Sequence, residues 1–288
     1  MEQSDYSKTT LILGFFDGIH LGHKRVIESA VDFARKNNSK TILLTFPKSP
    51  AEYFGKNTQY IYERLFNYET AKSLGVDFVI ETDFAGLVNI SASDYLRQII
   101  EKYSPIAIFS GFNYSFGRER YGDPSFLKEN QNFYKYEYFC IEPVLDNETP
   151  ISSTYIKSLL GNSEIEKANR LLYRPFSLEG TVIKGTQTGR TIGFPTANIK
   201  YPDSIIQIPY GVYKINVFGS TAILNWGLKP TVGGKEPTLE IYIPNFDENI
   251  YGKTVRFEVL KKIRDEKKFN SLLELQAQIK EDLKECLK

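Results

Sequence analysis

Residues 9–37 read TTLILGFFDGIHLGHKRVIESAVDFARKN. The apolar run from Thr9 to Phe15 is broken by Gly14, and Val26, Ala30, Phe33 and Ala34 then recur at helical spacing across Leu21 to Asn37. Buried strand, glycine turn and amphipathic helix in that order are the opening of an α/β unit. Outward from it the rhythm repeats. Thr41 to Phe46, Phe78 to Ile80 and Ile106 to Phe109 are short apolar runs separated by helical patterns near residues 60–74 and 91–102. Such alternation predicts a parallel sheet covered by helices.

The texture changes after residue 160. Two helical segments, Thr154 to Leu160 and Glu164 to Leu172, end at Tyr173-Arg174-Pro175, where proline discourages further helix. Beyond them Phe176 to Ile183, Gly211 to Phe218, Thr221 to Trp226, Thr238 to Ile243 and Thr254 to Leu260 read as short strands broken by Gly and Pro, which predicts a small antiparallel β-barrel. Leu272, Leu275, Ile279 and Leu283 fall on one face of a closing helix, Ser271 to Leu287, capped by Asn270 or Ser271. A chain of 288 residues accommodates two domains, placed at 1–165 and 166–288. No internal repeat relates them.

Composition narrows the function classes. Hydrophobic residues at 41% and charged residues at 25% describe an ordinary globular protein. A net charge of +1 gives no broad pull toward nucleic acid or an anionic membrane, so neither is an expected partner. The opening residues show no basic segment followed by an apolar stretch, and no later run is long enough to span a bilayer. A cytoplasmic location is the expectation, and the composition leaves homo-oligomerisation open. Cys140 and Cys286 lie far apart, outside any metal-ligand spacing, so neither a disulfide framework nor a zinc site is expected.

Chemistry concentrates in two places. Residues 14–23, GFFDGIHLGH, join the first strand to the first helix, where backbone N–H groups and the helix dipole attract phosphate, and they carry both histidines of the chain. Spaced by three, His20 and His23 can project from one edge of the helix start, with Gly22 leaving room for close approach of a nucleotide. A bare His-x-x-His is otherwise a surface or capping pair, and only Asp17 stands near enough to suggest a third zinc ligand. In the second half, GTVIKG (180–185) leads through TGR (188–190) to GFPTAN (193–198), a glycine-punctuated loop able to fold over phosphates. Its Thr196 and Asn198 offer oxygen ligands suited to Mg²⁺, although a lone PTAN could equally be a turn.

Three segments of the first half together resemble the nucleotidyltransferase superfamily. Residues 14–23 carry its HxGH signature, ISSTYIK (151–157) resembles its ISSTxIR motif, and SGFNYSFGRERYGD (110–123) resembles the flavin-side loop of bacterial FAD synthetases. Residues 210–213, 225–231, 239–242, 245–246, 250–252 and 263–269, taken in order with PTAN, resemble the riboflavin kinase domain. The whole chain is therefore similar to the bifunctional riboflavin kinase/FMN adenylyltransferase family.

The resemblance implies a Rossmann-like N-terminal domain and a barrel kinase domain that phosphorylate riboflavin to FMN and adenylylate FMN to FAD. ATP is the co-substrate and Mg²⁺ the cofactor of both steps. It implies His20 and His23 as catalytic groups, with Gly14, Phe15, Asp17, Gly22, Ser153, Thr154 and Lys157 on ATP and Gly111, Asn113, Phe116 and Gly117 on the flavin. In the kinase domain it implies Glu240 as base, Lys184, Gly185, Gly193, Pro195, Thr196 and Asn198 on ATP, Thr196 and Asn198 on the metal, and Arg264 on the flavin. Taken alone, Glu240 would be an ordinary strand-surface acid and Arg264 part of a solvated charged run.

Two motifs depart from the family pattern. TFPKSP (45–50) carries Ser49 where many members have the histidine of TFxPHP, and Tyr155 and Lys157 replace the arginines of ISSTRIR. A lysine cannot grip phosphate bidentately, which leaves adenylyl transfer less fully equipped than the kinase step. The resemblance therefore also admits a kinase with a weakened adenylyltransferase domain. A flavin-binding regulator on the same scaffold is the remaining alternative.

Overall fold

The computed structural model describes residues 8–185, 193–231 and 234–287. Thr188, Gly189 and Arg190 of the glycine-rich segment, and the opening residues, lie outside the described residues. By internal contacts the chain divides into two compact units, the first comprising residues 1–58 and 63–153, the second residues 59–62 and 154–288.

The first unit begins as residues 9–37 predict, with β1 (Thr9–Leu13) running through a turn into α1 (Leu21–Asn37). It continues with β2 (Lys40–Thr45), α2 (Pro50–Tyr53), α3 (Arg64–Ser73), β3 (Phe78–Glu81), α4 (Phe84–Leu87) and α5 (Ala92–Tyr103). Then come β4 (Pro105–Gly111), α6 (Pro124–Tyr134), β5 (Glu137–Ile141) and a small hairpin, β6 (Leu145–Asp146) with β7 (Thr149–Pro150). The five long strands form one parallel sheet in the order β3-β2-β1-β4-β5. Every residue of β1 is buried, as a central strand covered on both faces requires. Leu11, Leu13, Ile42, Leu44 and Ile108 from the sheet meet Leu96, Ile99 and Tyr103 of α5 in its core.

Strand order reverses between β1 and β4, which places the crevice of an open parallel sheet at their carboxyl ends. Residues 14–23 leave β1 there, and Gly111 closes β4 at the same edge.

Apart from residues 59–62 the second unit starts at Thr154 within α7 (Ser153–Gly161), continues with α8 (Ile165–Leu171) and then forms a barrel. Its strands are β8 (Ser177–Ile183), β9 (Thr196–Lys200), β10 (Gly211–Val217), β11 (Ser220–Thr231), β12 (Gly234–Tyr242) and β13 (Thr254–Asp265). Pairing is antiparallel throughout, and β13 against β10 closes the ring β10-β11-β12-β9-β8-β13.

The closing helix, α9 (Leu272–Leu287), carries Ser271 as cap: its hydroxyl accepts from the Glu274 amide at 3.2 Å. Its packed face is the one the leucine spacing suggests from Leu275 onward, with Leu275, Ile279 and Leu283 half-buried. Leu272 is 57% exposed, whereas Asp282 and Cys286 are buried, with Leu283 beside Val212, Ile223 and Ile263. An acid can take that place because a cation awaits it there.

Among the described residues no helix is long and apolar enough to cross a membrane.

Candidate active sites

His20 is the N-cap of α1, and the geometry follows from that position. Its backbone is extended and its Nδ1 accepts from the His23 amide at 3.3 Å, leaving the two imidazoles stacked with centroids 3.8 Å apart. Phe16 lies against His23 at 4.9 Å. His20 is only 5% exposed, and burial, aided by the neighbouring His23, lowers its pKa to about 2. Burial holds His23 at about 4, partly opposed by the Gly18 backbone. Both rings are therefore neutral near pH 7. Because His20 Nδ1 accepts, its proton resides on Nε2, which makes that atom a hydrogen-bond donor.

The loop around the pair is held by its own unit. Ser153 Oγ donates to the Asp17 carbonyl at 2.7 Å, and Asn67 Oδ1 accepts from Gly18 N at 2.9 Å. Gly22 sits against the pair: a Cβ there would come within 3.0 Å of the His20 ring. Its smallness thus seats a histidine. Gly14 and Phe15 lie half-buried ahead of the turn, with buried Asp17 after them. Thr154 and Lys157 follow Ser153 on α7 within the second unit, where the Lys157 ammonium lies 5.6 Å over the Tyr60 ring.

The first unit also holds a cavity of about 570 Å³ lined by Phe46, Ser49, Phe54, Phe84, Phe116 and Arg120 among others. Phe46 and Phe54 meet Phe84 edge-on at 5.2 and 6.1 Å. Ser49 takes a local structural role, its hydroxyl accepting from the Glu52 amide at 3.1 Å as the N-cap of α2. Phe116 is 7% exposed and packs on Tyr95 at 5.1 Å, so it is chiefly core with one edge on the cavity. Gly117 has φ +73°, and a Cβ on it would strike the Ala92 backbone at 2.8 Å; only glycine serves. Gly111 ends β4 and Asn113 lies exposed just beyond it. Phe54 and Phe84 show no signal in the sequence because one caps and the other opens a four-residue helix too short to show periodicity.

In the barrel, Thr196 and Asn198 prove to be strand residues. β9 pairs with β12 so that Asn198 stands opposite Glu240 and Thr196 opposite Tyr242. The alternate positions, Ile199 with Leu239 and Ala197 with Ile241, turn to the other face, where Leu239 and Ile241 are buried. Thr196, Asn198 and Glu240 thus share one half-buried face.

Gly185 is pressed onto this face, since a Cβ there would fall 2.2 Å from Asn198 Nδ2. Lys184 precedes it, exposed, and Gly193, with φ +80°, leads through exposed Pro195 into β9. A hydroxyl, an amide and a carboxylate are hard oxygen donors, a set that fits Mg²⁺. Among the described residues no three His, Cys, Asp or Glu side chains cluster as a metal cage.

Arg264 stands on β13 and is held by the closing helix. Its Nε and Nη2 grip the Asp282 carboxylate at 2.9 Å each, Gln278 donates to the same carboxylate at 2.9 Å, and Asp282 is 3% exposed. The guanidinium also lies 5.7 Å from the Phe269 ring centroid. The sequence placed this arginine on the flavin; its described partners are the closing helix and the loop before it.

A family described as FAD synthetase matches residues 2–155, and one described as riboflavin kinase matches residues 172–288. The bifunctional riboflavin kinase/FMN adenylyltransferase of Bacillus subtilis is 31% identical over 99% of this chain and 94% of its own. That of Buchnera aphidicola from Schizaphis graminum is 34% identical over 96% and 92%. A Streptococcus pneumoniae crystal structure described as a macrolide-efflux protein superposes with a TM-score of 0.87 at 30% identity, covering 96% of this chain and 93% of that one. With both halves matched in one order and full-length relatives above 30% identity, the chain belongs to the bifunctional riboflavin kinase/FMN adenylyltransferase family.

Proposed function

We propose that the first unit forms FAD from FMN and ATP and that the second forms FMN from riboflavin and ATP, in the cytoplasm. The observation that carries the first assignment is the stacked neutral pair His20–His23 at the carboxyl end of β1, in a unit that also holds an aromatic cavity of flavin size.

An FMN phosphate oxygen attacks the α-phosphorus of ATP. The bond to the bridging oxygen breaks, and pyrophosphate leaves. No covalent enzyme intermediate is needed, so the protein's part is alignment and neutralisation of growing charge. His20 Nε2–H donates to a phosphate oxygen. His23, stacked on it, is the second such group. Being neutral, both act as dipolar donors without a proton having to be gained first. Gly14, Phe15, Asp17 and Gly22 shape the ATP loop, and Ser153 pins it.

In the barrel, Glu240 accepts the proton of the ribityl hydroxyl as that oxygen attacks the γ-phosphorus and ADP departs. Asn198, directly across the ladder, and Thr196 would hold Mg²⁺, which would neutralise charge on the phosphate oxygens. Lys184, Gly185, Gly193 and Pro195 frame the nucleotide. Arg264 is the flavin contact of this unit, its guanidinium held by the Asp282 carboxylate.

Chromatography of flavins tests this: purified protein with Mg²⁺ and ATP converts riboflavin to FMN and FAD, and FMN to FAD. Ser49 serving as a helix cap where relatives place a histidine favours a second reading, a kinase with slow adenylyl transfer. FMN accumulating from riboflavin with FAD absent from both reactions would establish it.

A further inference from the structure

The aromatic cavity has one polar corner that the mechanism above leaves unused. Between residues 117 and 120 the backbone is left-handed at Gly117 (φ +73°), Glu119 (φ +56°) and Arg120 (φ +61°). Two adjacent non-glycine residues adopt that conformation only where their surroundings impose it, and such strain gathers at ligand sites. Here the Arg118 amide donates to Ile90 O at 2.7 Å, and Phe116 and Gly122 exchange two backbone bonds of 2.9 Å each. The result of the strain is that Glu119 and Arg120 both line the cavity. Arg120 Nε donates to Ser115 Oγ at 2.8 Å, which orients the guanidinium; its two Nη groups have no partner among the described residues.

We infer that Glu119 and Arg120 read the imide edge of the FMN ring, Arg120 Nη donating to a ring carbonyl and the Glu119 carboxylate accepting from the ring N–H. The inference rests on the assignment of this cavity to the flavin. A phosphate placed here would meet the negative Glu119. The pyrimidine edge of a flavin instead shows carbonyl, N–H and carbonyl in a row, which complements a donor set beside an acceptor. The apolar walls from Phe46, Phe54 and Phe84 suit the ring faces and offer no competing polar group.

The test is steady-state FAD formation by the full-length protein, which the kinase site does not contribute to when FMN is supplied. Arg120→Gly removes the guanidinium and relieves the left-handed backbone. The KM for FMN rises about tenfold, the size of one charge-assisted hydrogen bond, while kcat and the KM for ATP stay within roughly twofold and the melting temperature does not fall. Arg120→Lys recovers part of the loss. N3-methyl-FMN, lacking the N–H, is a poorer substrate than FMN for the unaltered protein by about tenfold, and Glu119→Gly abolishes that preference. An unchanged KM for FMN in Arg120→Gly, or a fall in kcat with a lower melting temperature, overturns the assignment. Ala51→Trp, which fills the cavity, separates the two levels: if it too leaves the KM for FMN unchanged, the flavin assignment of the cavity falls as well; if it alone raises that KM, only the roles of Glu119 and Arg120 fall.

Discussion

The histidine pair couples the first unit's stability to pH with a definite sign. An imidazole in the unfolded chain titrates near 6.5, whereas burial puts His20 at about 2 and His23 at about 4. Between those values the unfolded state binds more protons than the native one, so stability climbs with pH up to about 6.5 and levels off above it. Acidification from pH 7 to 5 therefore destabilises this unit, each ring adding a slope that approaches about 1.4 kcal/mol per pH unit. Urea unfolding followed by circular dichroism reads it, with Trp226, the only tryptophan, reporting the second unit separately. The double variant His20→Ala, His23→Ala should lose most of the slope, and an unaltered slope would show that the rings are not buried in neutral form. Gly22→Ala acts on the same pair through geometry. Its Cβ would sit 3.0 to 3.1 Å from the His20 ring and displace it. FAD formation should fall about 10- to 100-fold with FMN formation from riboflavin untouched. The sequence made the pair itself legible, because strand, glycine turn and helix leave few places for two histidines. That Gly22 touches a ring required coordinates.

At the scale of elements, legibility followed burial. β1 and β2 were legible because each centres on a buried apolar triplet, Leu11 to Leu13 and Ile42 to Leu44. β9 was not, since Thr-Ala-Asn-Ile-Lys buries only Ile199 and its polar members read as a turn; the ladder to β12 is what makes it a strand. β5, an edge strand with mixed burial, lacked periodicity for the same reason. The closing helix was legible in extent and, Leu272 apart, in facing; what no hydrophobic pattern reveals is an aspartate buried against an arginine within that face. That pair supports a prediction. Asp282→Ala leaves Arg264 without its carboxylate and should cost the second unit about 3 kcal/mol, read as a lower denaturation midpoint of Trp226 fluorescence. A loss near zero would mean that water replaces the carboxylate readily. Ser49→Ala offers a smaller, local counterpart. Without its cap α2 loses about 1 kcal/mol, and exchange of the Glu52 amide with deuterium should quicken about fivefold.

For the whole molecule, the change from alternating α/β rhythm to glycine-broken strands announced two modules, and their composition is less simple than one cut in the chain. Residues 59–62 come from the first half yet belong to the second unit. Read as sequence they extend a helical pattern near 60–74. In the fold α3 starts only at Arg64, and Ile61 and Tyr62 are buried. Tyr60 N donates to Ser204 O at 2.7 Å and Tyr60 O accepts from Ile206 N at 2.8 Å, while the Tyr62 hydroxyl donates to the Arg174 carbonyl at 2.7 Å. A fragment of residues 154–288 would lose those bonds and expose the surface that Ile61 and Tyr62 cover, about 2 kcal/mol for each side chain. It should melt on the order of 10 °C below the same unit in the intact chain, by Trp226 fluorescence. A fragment that melts with the intact protein would show the segment to be a passenger. The consequence reaches the assignment of activities, because a truncated kinase unit could fail through instability and mimic a shared site. Point variants of the full chain avoid this. His20→Ala should abolish FAD formation and spare FMN formation, and Glu240→Gln should do the reverse when FMN is supplied. Loss of both products in either variant would mean that the two chemistries do not occupy separate sites.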